Sequence, residues 1–89
     1  MEVGRVVCSL SGHDKGLYMV VVGVTSNGVA VCNGKQRRLQ NPKLKNIKHL
    51  YKTEFFVTEE QLETNKSLRK AIYGLVGKYK EETLCQKKI

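Results

Sequence analysis

The sequence predicts a small, mainly β domain with a C-terminal amphipathic helix. Its 89 residues suffice for one domain. The first part of the chain alternates short apolar, β-branched runs with turn signals, whereas apolar residues after Thr58 recur at helical spacing. We therefore expect a closed barrel of about five strands over residues 1–57, a helical segment over 58–80 packed on it, and a tail over 81–89.

The first two strands are expected at Val3–Leu10 and Leu17–Val24. In the first, apolar side chains fall on alternate positions, so that one face can be buried. The second is a nearly continuous apolar run, which suits a central strand buried on both faces, as in a small closed barrel. The polar stretch between them contains Gly12 and Gly16, whose conformational freedom permits a hairpin turn.

Two Asn-Gly pairs, Asn27-Gly28 and Asn33-Gly34, flank a third short strand at Val29–Cys32. Asn-Gly between apolar runs is a strong hairpin signal, because both residues tolerate the positive φ of a type I′ turn. We expect each pair to form a hairpin turn. The stretch KQRRLQ after the second pair is then interpreted as a basic strand.

A break follows at Asn41-Pro42. The next apolar residues recur every three positions among lysines, a spacing that also fits a 3₁₀ turn or a helix. Given the break, we interpret this stretch as a bend that leads into a last strand around Ile47–Leu50. The apolar EFFV run after it is expected to pack in the core.

From Thr58 onwards the pattern is helical. The stretch TEEQ is a capping box, in which the Thr58 side chain accepts a hydrogen bond from the backbone of Gln61 while Gln61 reaches back. An amphipathic stripe follows, and the intervening ETNKS could divide the segment into two helices. The stripe consists of Leu68, Ala71, Ile72, Leu75, Val76 and Tyr79.

The net charge of +8 comes from one part of the chain. The stretch from Lys15 to Thr53 contains eight basic residues and no acidic one, whereas the remainder contains eight of each. A field of one sign attracts polyanions, above all nucleic acid. A solvated basic face that keeps a small protein soluble is the alternative explanation. The length of the acid-free stretch favours nucleic-acid binding.

The polar loop between the first two strands has the look of a catalytic or nucleotide-binding site, but its spacing excludes both. In a phosphate-binding loop the lysine follows the second glycine and a helix begins there, whereas here Lys15 precedes Gly16 and a strand follows. Ser11, His13 and Asp14 are neighbours on one loop with nothing to form an oxyanion hole. We therefore expect no enzyme activity and no catalytic residues.

Composition also bears on cofactors and cellular location. The three cysteines lack the paired spacing of a zinc site, so neither a metal nor a cofactor is expected. An odd number of cysteines at long spacings is typical of a reducing cytoplasm. No apolar run approaches the roughly 20 residues that span a bilayer, and the N-terminus has no signal pattern. A cytoplasmic protein without membrane contact is expected.

The stretch GRVVCSLSGHDKGLYMVVVGV resembles the KOW motif, in which a strand, a short polar loop with a glycine and a second apolar strand follow one another. Gly16 matches the glycine of the motif, and Val6 and Val7 match its leading strand. Val20–Val24 matches the trailing strand, whereas His13 stands where a lysine is common.

The continuation VAVCNGKQRRLQNPKLKNIKHL is similar to small bacterial KOW-containing RNA-binding proteins. These are in turn similar to KOW-bearing large-subunit ribosomal proteins of archaea and eukaryotes. The resemblance covers Val3–Leu50 and does not extend to the C-terminal helix.

This resemblance implies an SH3-like barrel that binds structured RNA, usually ribosomal RNA, without catalysis. The expected setting is a ribonucleoprotein of translation, with ribosomal proteins as further partners and the chain itself a monomer. The basic residues of the first hairpin loop and of the acid-free stretch would contact phosphates. The expected RNA-binding residues are His13, Lys15, Lys35, Arg37, Arg38, Lys43, Lys45, Lys48 and His49.

A protein-interaction adaptor is the alternative from another class. An SH3-like barrel can hold a methylated lysine in an aromatic cage, to which Tyr18 and the aromatic residues between Tyr51 and Phe56 could contribute. The amphipathic helix could instead pair with a partner protein or with a second copy. Packing of that helix on the barrel, which otherwise lacks enough core, is the favoured explanation of the stripe.

Overall fold

A computed structural model of the chain describes residues 1–77. The predicted tail and Tyr79, the last member of the predicted stripe, lie outside the described residues. Within residues 1–77, no helix is long and apolar enough to cross a membrane.

Five antiparallel strands form one sheet in the order β4-β3-β2-β1-β5. The mainly β fold with about five strands is therefore confirmed. Among the described residues β4 and β5 are the two edges of the sheet and do not pair with each other, so the sheet is not closed into a barrel. The strands are β1 (Arg5–Ser9), β2 (Tyr18–Thr25), β3 (Gly28–Cys32), β4 (Lys43–Lys45) and β5 (Leu50–Phe56).

The sheet has an apolar cluster on each face, because β1 and β2 have apolar side chains at successive positions. Met19, Val20 and Val21 are all fully buried, which confirms the prediction of a central strand covered on both sides. Val20 faces one cluster, whereas Met19 and Val21 face the other. A domain this small thus obtains two thin cores from one sheet.

Helix α1 (Asn65–Gly77) covers one face of the sheet. Leu68 and Ile72 lie one turn apart on the helix and pack with Val6 and Val20 of the central strands. The buried thiol of Cys32 belongs to the same cluster, and burial raises its pKa to about 11. The cluster explains the amphipathic stripe as a packing surface.

The predicted capping box is present, but it begins a 3₁₀ turn at Glu60–Leu62. The Gln61 backbone donates to Thr58 Oγ1 at 3.2 Å and the Thr58 backbone donates to Gln61 Oε1 at 2.8 Å. A second cap starts α1, where the backbone of Ser67 donates to Thr64 Oγ1 at 3.0 Å. The stretch ETNKS therefore divides the segment, as its composition suggested.

A hairpin is present near Asn27-Gly28 as predicted, but its turn lies one residue earlier than expected. Thr25 pairs with Gly28, so Ser26 and Asn27 form a two-residue turn between β2 and β3. Gly28 also allows a close approach of β4, since a Cβ at this position would overlap the carbonyl oxygen of Lys45.

The basic strand predicted over KQRRLQ is wrong, because this stretch is a series of bends and turns. The Asn33 side chain causes the difference. Its Oδ1 accepts hydrogen bonds from the backbones of Lys35 at 2.9 Å and Arg37 at 3.0 Å, so these groups are turned away from a strand ladder. Asn33-Gly34 thus anchors a compact loop over residues 33–41 instead of a hairpin.

The last strand also lies later than predicted. Ile47–His49 forms a 3₁₀ turn, for which the Asn46 side chain accepts from the backbone of Lys48 at 3.0 Å. The strand β5 begins only at Leu50 and contains the EFF stretch that was expected to follow the strand. Of the three apolar residues at this spacing only Ile47 lies in the 3₁₀ turn, whereas Leu44 belongs to β4 and Leu50 to β5.

Candidate nucleic-acid interface

An ion pair between Lys45 and Asp14 lies at one end of the sheet. Lys45 Nζ is 3.0 Å from Asp14 Oδ1, and the two side chains are only 8% and 6% exposed. The same ammonium donates to Ser9 Oγ at 2.9 Å and to the carbonyl oxygen of Ser11 at 2.9 Å. All three ammonium donors therefore have a partner within the protein.

The charges around Asp14 determine its protonation. Burial acts to raise the pKa of this carboxyl group, but the hydrogen bond from Lys45 and the charges of Lys45 and Arg37 outweigh it and hold the pKa below its ordinary value. Arg37 Nε lies 3.7 Å from Asp14 Oδ2. That oxygen is the single buried side-chain polar atom within residues 1–77 that has no hydrogen-bond partner.

Asp14 joins three basic segments that are far apart in the chain. It belongs to the β1–β2 hairpin loop, and its two carboxylate oxygens face Lys45 of β4 and Arg37 of the loop over residues 33–41. The 3₁₀ turn lies beside the same hairpin, since the Leu10 backbone donates to the carbonyl oxygen of His49 at 2.8 Å. We call the hairpin loop, the loop over residues 33–41, β4 and the 3₁₀ turn together the basic end of the molecule.

The basic end includes all the segments in which RNA-binding residues were predicted. Arg37 is half-buried, and the structure places Lys45 in the interior with its ammonium paired. The prediction of Lys45 as a phosphate ligand is therefore corrected. Its ammonium group holds the hairpin loop on β4. The predicted residues with exposed side chains are His13, Lys15, Lys35, Arg38, Lys43, Lys48 and His49.

The hairpin loop owes its shape to two of the predicted turn glycines. Gly12 and Gly16 have φ values of 81° and 89°, in the region that favours glycine. The Gly16 backbone donates to the carbonyl oxygen of Ser9 at 2.8 Å, which closes the loop between β1 and β2. His13 and Lys15 are consequently exposed at its tip, while Asp14 between them points inwards.

Helix α1 fixes the loop over residues 33–41. The Asn65 side chain accepts a hydrogen bond from the Leu39 backbone at 2.7 Å and donates to Gln40 Oε1 at 2.9 Å. Gly34, at φ 80°, lies so close that a Cβ there would overlap the Asn65 carbonyl oxygen. The positions of Lys35 and Arg38 therefore depend on the docking of the helix.

A groove of about 520 Å³ runs between the hairpin loop, the loop over residues 33–41 and the helix. The helix contributes Arg69, Lys70 and Tyr73 to its wall, and these residues were not predicted from the sequence. They lie in the part of the chain with no net charge, so composition contained no signal for them. Only the docking of α1 brings them beside the basic end.

The candidate residues for a methyl-lysine cage do not all lie on one face of the sheet: Tyr18 and Tyr51 pair with Cys8 from either side, and Tyr18 packs against the same cluster as Phe55. Phe55 packs against the helix-side cluster, whereas the neighbouring Phe56 is exposed and its ring lies 4.3 Å from the Arg5 guanidinium. Adjacent residues of a strand face opposite sides of a sheet. Phe56 is therefore separated from the other candidate residues of such a cage.

Comparisons with known proteins add no family to this description. No protein-family model matches the chain, and no curated protein matches it. Fold and charge alone define its class, a small antiparallel β domain with a helix on one face and a basic end.

Proposed function

We propose that this protein is a non-catalytic RNA-binding domain that contacts structured RNA, with ribosomal RNA as its target, through the basic end. One observation carries the proposal. The buried pair of Asp14 and Lys45 gathers exposed cations from three chain segments at one end of the molecule. The chain from Lys15 to Thr53 adds no acidic residue to oppose them.

The chemistry of these residues favours recognition of the backbone. Lysine ammonium groups are point charges that position a phosphate, and an exposed arginine such as Arg38 can bind a phosphate with two parallel hydrogen bonds. The hairpin loop and the 3₁₀ turn are both held in place by short backbone hydrogen bonds. The basic side chains on them therefore lie on a preformed surface. Such a surface suits the shape and phosphate spacing of folded RNA.

The proposal includes the assignment of the sheet as a partly open SH3-like barrel. Its two edge strands, β4 and β5, are consecutive in the chain and are separated by a single 3₁₀ turn. A partly open barrel has this arrangement, in which one strongly bent sheet brings its edges towards each other without pairing. The resemblance of the first half of the chain to the KOW motif supports the same assignment.

Fluorescence anisotropy with a labelled RNA stem-loop tests the function. If about five phosphates are neutralised, log K should fall with log salt concentration with a slope of roughly −3.5 to −4.5. The variant Arg38→Ala/Lys48→Ala should reduce the magnitude of this slope by about 1.4 to 1.8. Arg37 is left unchanged because it lies beside Asp14, and its replacement would disturb the fold.

The variant Lys52→Ala/Lys66→Ala is the matched control. It removes the same charge from exposed positions on β5 and α1 that are not among the predicted phosphate contacts. Its binding should remain close to that of the wild-type protein. A flat salt dependence, or equal losses in the two variants, would overturn the proposal.

A further inference from the structure

The groove between the hairpin loop and helix α1 combines basic side chains with apolar and aromatic ones. Its lining includes the apolar side chains of Leu17 and Ile72, and Tyr73 lies on its wall. Resting on the RNA-binding function proposed above, we propose that this groove holds one unpaired nucleotide of the RNA. The base would stack on Tyr73, and the phosphates on either side would contact Lys35, Arg69 and Lys70.

The exposure of Tyr73 is the first argument for a ligand. Tyr73 is 81% exposed although it directly follows the buried Ile72, so its ring packs little against the described residues 1–77. A flat, exposed aromatic ring in a groove is the usual platform for a nucleobase, because every base has a π face. Removal of this ring should therefore leave the fold intact.

The charge of the groove is the second argument. Lys35 lies on one wall and Arg69 and Lys70 on the other, and all three side chains are exposed. Among the described residues that line the groove, none has a carboxylate. Cations on both walls of a groove that also contains an aromatic ring match a nucleotide, which has a phosphate on either side of its base.

Size and hydrogen bonding agree with this occupant. The volume of about 520 Å³ falls within the range of ligand clefts, which is roughly 300–1,000 Å³. Gln36 also lines the groove, and its Oε1 accepts a hydrogen bond from Asn33 Nδ2 at 2.8 Å. This bond orients the Gln36 amide so that its NH₂ group can donate to the edge of a base.

Anisotropy with two probes tests the inference. They are a fluorescein-labelled ten-nucleotide oligouridylate and a labelled, fully paired RNA duplex. Tyr73→Ala should weaken binding of the oligouridylate by about 5- to 150-fold, the effect of losing one base–aromatic stack, and leave duplex binding unchanged. Tyr73→Phe should keep wild-type affinity because the ring remains.

Two matched controls accompany these variants. Phe56→Ala removes another exposed ring, on β5 and outside the groove, and should leave binding of both probes unchanged. Lys70→Ala should reduce the salt slope for the oligouridylate by about 0.7. Lys66→Ala, on the same helix but not in the groove lining, should not change the slope. In NMR spectra the oligouridylate should shift the amide signals of Gly16, Lys35 and Lys70.

The outcomes separate this inference from the function on which it rests. Duplex binding with a normal salt slope, but no effect of Tyr73→Ala on the oligouridylate, would overturn the groove assignment and leave the RNA-binding function in place. Failure of the wild-type protein to bind either probe would overturn both. Preferential, Tyr73-dependent binding of a deca-glutamate peptide would assign the groove to an acidic peptide instead.

Discussion

Lys45 Nζ lies 3.0 Å from Asp14 Oδ1, although 31 positions separate the two residues in the chain. The contact holds the β1–β2 hairpin loop on the edge strand β4. Asp14, the one acidic residue of the hairpin loop, neutralises a lysine in the interior, while His13 and Lys15 on either side of it remain exposed. The pair thus supports the fold and organises the proposed binding surface.

Loss of one partner of this pair should destabilise the protein strongly. We expect Lys45→Met to lower the free energy of unfolding by about 3–5 kcal/mol, because the Asp14 carboxylate would be left buried without its cation. The double variant Asp14→Asn/Lys45→Met should lose less than the sum of the single losses, by about 0.5–3 kcal/mol. Urea unfolding followed by circular dichroism measures these values.

Lys43→Met is the control for that measurement. Lys43 lies on the same strand but its side chain is exposed, so its replacement should change the free energy of unfolding by less than about 0.5 kcal/mol. Strictly additive losses in the double variant would show that Asp14 and Lys45 do not interact.

The lowered pKa of Asp14 predicts a loss of stability in acid. Because the folded-state pKa lies below the unfolded-state value of about 4, the unfolded chain binds the proton first as the pH falls. The stabilisation is complete above that value and is lost as the pH falls through the folded-state pKa. The difference in free energy of unfolding between wild type and Asp14→Asn should therefore narrow as the pH falls below about 4 and through the folded-state pKa.

Urea titrations of both proteins across this range check the prediction. Other carboxyl groups titrate equally in wild type and variant, so the difference isolates Asp14. A gap that stays constant down to the acid limit would contradict the assignment of Asp14 as an ionised partner of Lys45.

Three glycines should respond differently to alanine. Gly34→Ala should be the most destabilising, because its φ of 80° costs about 1–2 kcal/mol and its Cβ would overlap the Asn65 carbonyl oxygen. Gly16→Ala retains only the conformational cost, since no heavy atom lies within 4 Å of its Cβ. Gly74→Ala should stabilise the helix by about 0.5–1 kcal/mol, because its Cβ also has open space.

Thermal unfolding of the three variants measures their order of stability directly. Equal losses for Gly34→Ala and Gly16→Ala would show that helix α1 does not pack against the loop over residues 33–41. The RNA affinity of Gly34→Ala should fall as well, since this contact positions Lys35 and Arg38.

The thiol of Cys32 should be inert in the folded protein. Its side chain is fully buried and its pKa is raised to about 11, so at about pH 8 only about one thiol in a thousand is ionised. We expect iodoacetamide to leave Cys32 unmodified in native buffer and to alkylate it in urea, as peptide mass spectrometry would show. Rapid native modification would contradict the helix-side core as described.

Much of the local structure follows from sequence patterns that act over a few residues. The continuous apolar run of β2, the hairpin between β2 and β3 and the reciprocal hydrogen bonds of Thr58 and Gln61 were all predicted and are present. Each depends on the intrinsic preferences of neighbouring residues, which the sequence displays directly.

The mistaken predictions involve side chains that hydrogen-bond to the backbone or to distant groups. The stretch KQRRLQ has a sequence pattern that is compatible with a strand. It forms a loop because the Asn33 side chain accepts hydrogen bonds from two of its backbone N–H groups. The function of Lys45 could not be predicted either, because it lies among lysines of similar local context. Its burial depends on Asp14 and on the close approach of β4 to Gly28.

By itself the sequence determined that the fold is mainly β, that the helix follows the strands and that the net charge is positive. These properties follow from composition and from periodicity over a few residues. The tertiary structure decided which cations are exposed, which one is buried, and that Arg69, Lys70 and Tyr73 share a groove with Lys35. The reason is that burial and proximity are set by the packing of segments distant in the chain. Charge counted along the sequence cannot distinguish an ammonium in water from one paired with a buried carboxylate.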